Sequence, residues 1–193
     1  MTARLVVLAS GSGSTLQAVI EAAADPSYGA RVVAAGTDRP DCRAMKRAAD
    51  AGVPTFALSL SDFSDRTAWN RALADEIAAH RPDVVVLAGF MRVLDPTTVS
   101  RFRMVNTHPS LLPSFPGAHA LRDALAHGVK ITGVTVHWVD AGLDSGPILA
   151  QVAVPVLDGD TEESLLERVQ LAEKPLFVET VRQICAAVEE PRP

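Results

Sequence analysis

The run Val84-Val85-Val86-Leu87-Ala88 constrains the fold more than any other stretch of this chain. Apolar residues in unbroken succession, with no polar alternation, suit a strand covered on both faces, as in the middle of a parallel sheet. The flanking pattern agrees. Ser64 to His80 carries Trp69, Leu73 and Ile77 on one helical face, and Pro82 lies just past its end. Further upstream, Leu5 to Ala9 reads as a short buried strand, followed by a Gly/Ser turn and a helix through Leu16, Ala18, Val19 and Ala22. Val32 to Ala35 is a second strand, Asp41 to Ala51 a helix closing at Gly52, and Val53 to Leu58 a weaker strand. Strands alternating with helices at this spacing predict a doubly wound, mostly parallel α/β sheet with right-handed crossovers.

Beyond Ala88 the pattern changes. Met104 to Thr107 is a short strand leading into a Pro-rich loop, with a helix near His119 to His127. Lys130 to Val139 and Ile148 to Pro155 are longer strands joined by a Gly-rich loop, expected as an antiparallel pair at the sheet edge. Asp160-Thr161 before Glu162-Glu163 starts a last helix with acids against its positive end. It runs towards Glu190, and Pro175 is expected to kink or interrupt it. No linker composition appears, so residues 1–193 are expected to form one domain.

Composition narrows the function class. The chain has 193 residues, 48% hydrophobic and 21% charged, enough to bury a core without disulfides or a metal. A net charge of −5 and nine aromatic residues argue against a sequence-independent nucleic-acid surface. Cys42 and Cys185 stand far apart, without metal-ligand spacing. No signal peptide and no apolar run of about 18 residues is evident, so a cytoplasmic chain acting on small molecules is expected, with no membrane partner.

Three stretches could carry chemistry. Ser10-Gly11-Ser12-Gly13-Ser14-Thr15-Leu16 lies between a strand and a helix, where free backbone N–H groups suit a phosphate. It lacks the lysine of a P-loop and the third glycine of a dinucleotide fingerprint. Asn106-Thr107-His108-Pro109 ends a sheet strand, where open α/β sheets bind ligands. Asn106 and His108 are two apart, so their side chains share one face of an extended segment. Such a pair could stabilise an oxyanion and move a proton, or it could simply be a turn cap and a satisfied loop histidine. Asp140-Ala141-Gly142-Leu143-Asp144-Ser145-Gly146 reads either as a surface loop or as the source of a carboxylate, Asp144, that holds His108 protonated. Read alone, His119 and His137 look structural, His80 and His127 serve helix ends, and Glu173 looks like a solvated helical glutamate.

In combination, SGSGSTLQ, PDVVVLAGFMRVL, NTHPSLLPSFPG and GVTVHWVDAGLDSGPILAQ resemble the phosphoribosylglycinamide (glycinamide ribonucleotide) formyltransferase family of purine biosynthesis. The similarity spans about Leu5 to Leu176. It implies a formyltransferase (Rossmann-like) fold and transfer of a formyl group from 10-formyltetrahydrofolate to the glycinamide amine, with the folate as co-substrate and no metal. By motif position, Asn106, His108 and Asp144 match the family's catalytic trio. Gly13, Ser14 and Thr15 match its phosphate loop, and the segment of Gln170 and Glu173 reaches the ribonucleotide. Met91, Arg92, Val93 and Leu94 match one wall of the folate pocket. Asn106 and the loop of Asp140, Ala141, Gly142, Leu143 and Asp144 match the other, and Arg66 a further folate contact.

Length separates this chain from relatives that carry a basic C-terminal domain or an N-terminal regulatory domain. Thr15 departs from the family's usual Asn, and the chain stops soon after its last helix. A homodimer is left open. The rivals are a formyl-folate hydrolase, against which the phosphate loop argues, and a non-catalytic sensor of a phosphorylated metabolite, against which the intact trio argues.

Overall fold

A computed structural model describes residues 2–189. One seven-stranded sheet runs through it in the order β3-β2-β1-β4-β5-β6-β7. Its strands are β1 (Ala3–Leu8), β2 (Ala30–Thr37), β3 (Thr55–Ala57), β4 (Val84–Leu87), β5 (Met104–His108), β6 (Ile131–Trp138) and β7 (Ile148–Pro155). The first five pair in parallel, whereas β6 is antiparallel to both β5 and β7. This is the mixed sheet with an antiparallel edge that the alternation implied.

The doubly wound form follows from the apolar runs. Leu5, Val7, Val84 and Val86 enter one core with α1 (Ser14–Ala23), α2 (Arg43–Asp50) and the end of α6 (Glu162–Glu189). Their neighbours Val6, Leu8, Val85 and Leu87 enter the opposite core with Trp69, Leu73 and Ile77 of α3 (Arg66–Ala79) and Val99 of α4 (Pro96–Ser100). Both faces of β1 and β4 are therefore covered, so neither strand could alternate with polar residues. A third cluster joins Leu121 of α5 (Ala120–His127) to Val134, Val154, Leu165 and Val169 beneath β6 and β7.

Three sequence expectations change. Pro175 lies inside one continuous helix, α6, and does not interrupt it. The proline removes the N–H that would bond the carbonyl of Leu171, but Leu171 is exposed and water can serve that carbonyl instead. Leu176 and Phe177 anchor the helix in the core immediately afterwards. Glu190, the expected end, lies outside the described residues. The strand drawn over Val53 to Leu58 shrinks to Thr55–Ala57 at the sheet edge. The missed helix α4 had a legible start: Asp95 accepts the Thr98 N–H at 2.7 Å, with Pro96 at the first turn.

Candidate active site

β5 carries the first part of the site. Asn106 and His108 point to the same side, and antiparallel pairing sets His137 of β6 directly across from Asn106. The loop after β6 then brings in Asp144. These four side chains line one cavity of about 230 Å³, together with Met91, Arg92, Val93, Leu94, Asp140, Gly142 and Leu143. Most of the residues expected to be catalytic or folate-facing thus converge. Ala141 and Arg66 do not line the cavity. Arg66, at the start of α3, instead donates from Nη2 to the carbonyl of Val93 and so braces the wall from outside.

The hydrogen bonds restrict where protons can sit. His108 Nε2 lies 2.8 Å from the carbonyl of Phe115, which can only accept, so Nε2 carries a proton. Nδ1 is the remaining nitrogen, and it faces Asp144 Oδ2 at 3.4 Å. A proton on Nδ1 would be within reach of the carboxylate as well as of the cavity. Only Nδ1, not Nε2, is left for a reacting group. His137 donates from Nδ1 to the Trp138 carbonyl at 2.9 Å, and its Nε2 lies 3.3 Å from Asn106 Nδ2, from which it accepts in the neutral form, and 3.7 Å from Asp144 Oδ1. That contact sets the Asn106 amide with one N–H on His137 and one left over.

Asp144 is held independently. Its Oδ2 accepts the Gly117 N–H at 2.8 Å, and its backbone takes φ 51°, a left-handed value that Asp tolerates better than most residues. Asp140 organises the same loop by accepting from Gly142 N at 3.0 Å and Ser145 Oγ at 2.9 Å. Gly146 is required by packing, since a Cβ there would sit 1.8 Å from the Trp138 carbonyl oxygen. The Pro-rich loop is anchored through Thr135, which donates to the Ser110 carbonyl at 2.7 Å and accepts from Leu112 N at 3.0 Å.

The phosphate-loop residues occupy a different place. Gly13 is the N-cap of α1 at φ 72°, with no side chain capping the first turn. A Cβ at Gly13 would lie 2.5 Å from Ala44 Cα, so this turn needs glycine for space as well as conformation. The N–H groups at Ser14 and Thr15 open α1 without a side-chain cap, at the positive end of the helix dipole. The Thr15 hydroxyl turns the other way. It donates to Glu173 Oε1 at 3.0 Å, so Thr15 offers a ligand its backbone N–H while its hydroxyl ties α1 to α6. Burial holds the Glu173 carboxyl above its ordinary range, opposed by the Thr15 hydrogen bond and by Lys174. Gln170 precedes Glu173 by three residues, so both lie on one face of α6.

Sequence reasoning missed His137, the Phe115 carbonyl, Gly117 and the buried residues Ser10 and Asp38 behind the folate-facing wall. His137 left one trace, as the one ionisable residue of β6. The partners of the others depend on register and loop closure, which no spacing encodes.

The formyl transferase family profile matches residues 3–181. Phosphoribosylglycinamide formyltransferase of Mycobacterium tuberculosis is 59% identical over 181 residues, covering 93% of this chain and 83% of that one. The enzyme of the same name from Escherichia coli is 45% identical, covering 90% and 82%. The crystal structure of glycinamide ribonucleotide transformylase 1 from Symbiobacterium toebii superposes with a TM-score of 0.94 at 42% identity, covering 96% and 89%.

Proposed function

The chain belongs to the formyl transferase family, and we propose that it passes a formyl group from 10-formyltetrahydrofolate to the amine of 5'-phosphoribosylglycinamide through Asn106, His108 and Asp144. N-formylglycinamide ribonucleotide and tetrahydrofolate are the products, a step of purine biosynthesis. One observation carries the assignment of residues: an amide N–H, an imidazole nitrogen and a carboxylate face a single cavity, each oriented by a separate partner.

The chemistry follows from those orientations. The amine nitrogen attacks the formyl carbon, forming a C–N bond and pushing charge onto the formyl oxygen. The free N–H of Asn106 and the Nδ1–H of His108 donate to that oxygen, each donor being worth roughly 3–4 kcal/mol of barrier. The C–N10 bond then breaks. The proton lost by the attacking nitrogen ends on N10 of the folate, carried by Asp144, the carboxylate that lines the cavity. The apolar folate-facing wall is ready for a pterin-bearing partner, since Met91, Val93 and Leu143 are 68%, 58% and 56% exposed.

The ribonucleotide is assigned to α1 and α6, with its phosphate on the N–H groups of Gly13 to Thr15 and its ribose near Gln170 and Glu173. Two outcomes are expected. Ser14→Pro removes one N–H at a helix position that accepts proline, so the Michaelis constant for the ribonucleotide should rise roughly tenfold while that for the folate stays unchanged. A change confined to the folate would move the phosphate elsewhere.

Glu173→Gln should trade binding for stability. A carboxyl whose folded pKa is raised binds its proton more tightly folded than unfolded, so its ionisation opposes folding as pH rises from the unfolded value past the folded one. The neutral glutamine amide escapes that cost, and its oxygen still accepts from Thr15. The variant should melt at a higher temperature than wild type near neutral pH. The advantage should vanish towards about pH 4, where the unfolded glutamate is itself protonated. Its ribonucleotide Michaelis constant should rise about tenfold through loss of a charge-assisted hydrogen bond to the ribose. A melting advantage that persists at acid pH would contradict this account of Glu173.

The reaction itself is tested by following the folate absorbance with the full ribonucleotide, with none, and with glycinamide lacking the phosphate. Turnover only with the full ribonucleotide supports the transferase. Turnover with no acceptor points to the hydrolase.

A further inference from the structure

Asp38 follows β2 directly and is 4% exposed, yet it does not line the cavity of Asn106, His108 and Asp144. Both of its oxygens are engaged. Oδ1 accepts from Ser10 Oγ at 2.5 Å, and Oδ2 accepts from Arg92 Nε at 2.6 Å. Ser10 in turn accepts the Met91 N–H at 2.8 Å, and its own N–H reaches the Gly89 carbonyl at 3.1 Å. Two consecutive residues of the folate-facing wall therefore hang on one buried carboxylate, Arg92 directly and Met91 through Ser10. Burying an ion pair gains little net stability, because desolvation offsets the attraction. Stability alone is thus a weak reason for this pair.

We propose that Asp38 is a positioning residue that holds Arg92 at the mouth of the cavity so that its outer nitrogens receive the glutamate carboxylates of the folate tail. This rests on the reading of a folate as co-substrate. Arg92 lines both the catalytic cavity and a second, open cleft bordered by Arg39, Arg43, Ser59 and Ser61. Its side chain is 34% exposed, and the bond to Asp38 occupies Nε, with no hydrogen bond to Nη1 or Nη2 among the described residues. A guanidinium pinned at Nε presents its remaining nitrogens as a fork, the geometry that suits a carboxylate. The formyl group on N10 lies beside Asn106 and His108, and the pterin on one side of N10 takes the apolar cavity of Met91, Val93 and Leu143, so the aminobenzoyl-glutamate end on the other side emerges at the rim. That end carries the carboxylates. Fixing the arginine in advance removes rotamer freedom that binding would otherwise have to remove.

The test compares two co-substrates, 10-formyltetrahydrofolate and 10-formyltetrahydropteroate, which lacks the glutamate. Asp38→Ala should raise the Michaelis constant for the first about tenfold, leave kcat within about twofold, and leave the constant for the second at its wild-type value. Asp38→Asn keeps an acceptor for Ser10 and removes only the charge, so it should fall between, and it serves if the alanine variant fails to fold. An equal rise for both co-substrates, a fall in kcat alone, or no change in either variant would overturn the proposal. Equilibrium binding of tetrahydrofolate and tetrahydropteroate reads the same difference without turnover. An inactive wild type would then count against formyl transfer, and an absent binding difference against Asp38.

Discussion

Asp144→Asn is expected to lower kcat by about 10²–10⁴-fold, the range for loss of positioned acid–base catalysis, while leaving ribonucleotide affinity nearly unchanged. The substitution is conservative in every respect but one. Asn tolerates the left-handed backbone at φ 51°, and its side-chain oxygen can still accept the Gly117 N–H that Asp144 accepts at 2.8 Å. The loop therefore has no reason to move. On Gly117, that oxygen also stays about where Oδ2 lies beside His108 Nδ1, and the amide NH₂ takes the place of Oδ1, towards His137 Nε2. His108 Nδ1 then faces a neutral amide oxygen where the carboxylate lies 3.4 Å away. The negative charge beside His108 is lost, and the exchange loses its carboxylate acceptor. Rate and affinity are measured separately, by turnover at saturating substrate and by calorimetric binding of the ribonucleotide. Near-wild-type kcat would remove Asp144 from the mechanism.

The largest effect on stability is expected at Trp69. Its side chain is 1% exposed, its ring stacks on Phe90 with centroids 6.4 Å apart, and its Nε1 donates to the Leu58 carbonyl at 2.7 Å. Trp69→Ala opens a cavity and strands that carbonyl, for a cost of about 3–5 kcal/mol. In a chain of this size the melting temperature should fall on the order of 10 °C. Phe90 precedes Met91 and Arg92, so the loss should also raise the folate Michaelis constant and spare that for the ribonucleotide. Trp69→Phe keeps a stacked ring and loses only the hydrogen bond, so it should cost about 1 kcal/mol. Thermal melts of the two variants check the order. Similar melting temperatures for both would mean that the stack contributes little.

Both predictions concern residues of different legibility. Trp69 was readable as core because Leu73 and Ile77 repeat its face at helical spacing, a local periodic signal. Asp144 was readable either as a surface-loop residue or as a carboxylate serving His108, and resemblance to a family favoured the second. The structure adds the contacts that orient it. His137 illustrates the opposite failure. Its position within a strand suggested a structural role, and only the register that sets it across from Asn106 gives it a place beside the amide.

By itself the sequence determined whatever depends on neighbours along the chain. The buried runs at β1 and β4, the amphipathic face of α3, the glycine turn before α1 and the shared face of Asn106 and His108 all express periods of two or 3.6 residues, fixed by backbone geometry. Tertiary structure decided which nitrogen of His108 meets Asp144, that the Thr15 hydroxyl turns to Glu173, that α6 runs through Pro175, and that Asp38 lies beneath Arg92. Each of these joins groups brought together by strand pairing and loop closure, or rests on where water can reach. Hydrogen bonds act over about 3 Å in space whatever the separation along the chain, so no local pattern can anticipate them.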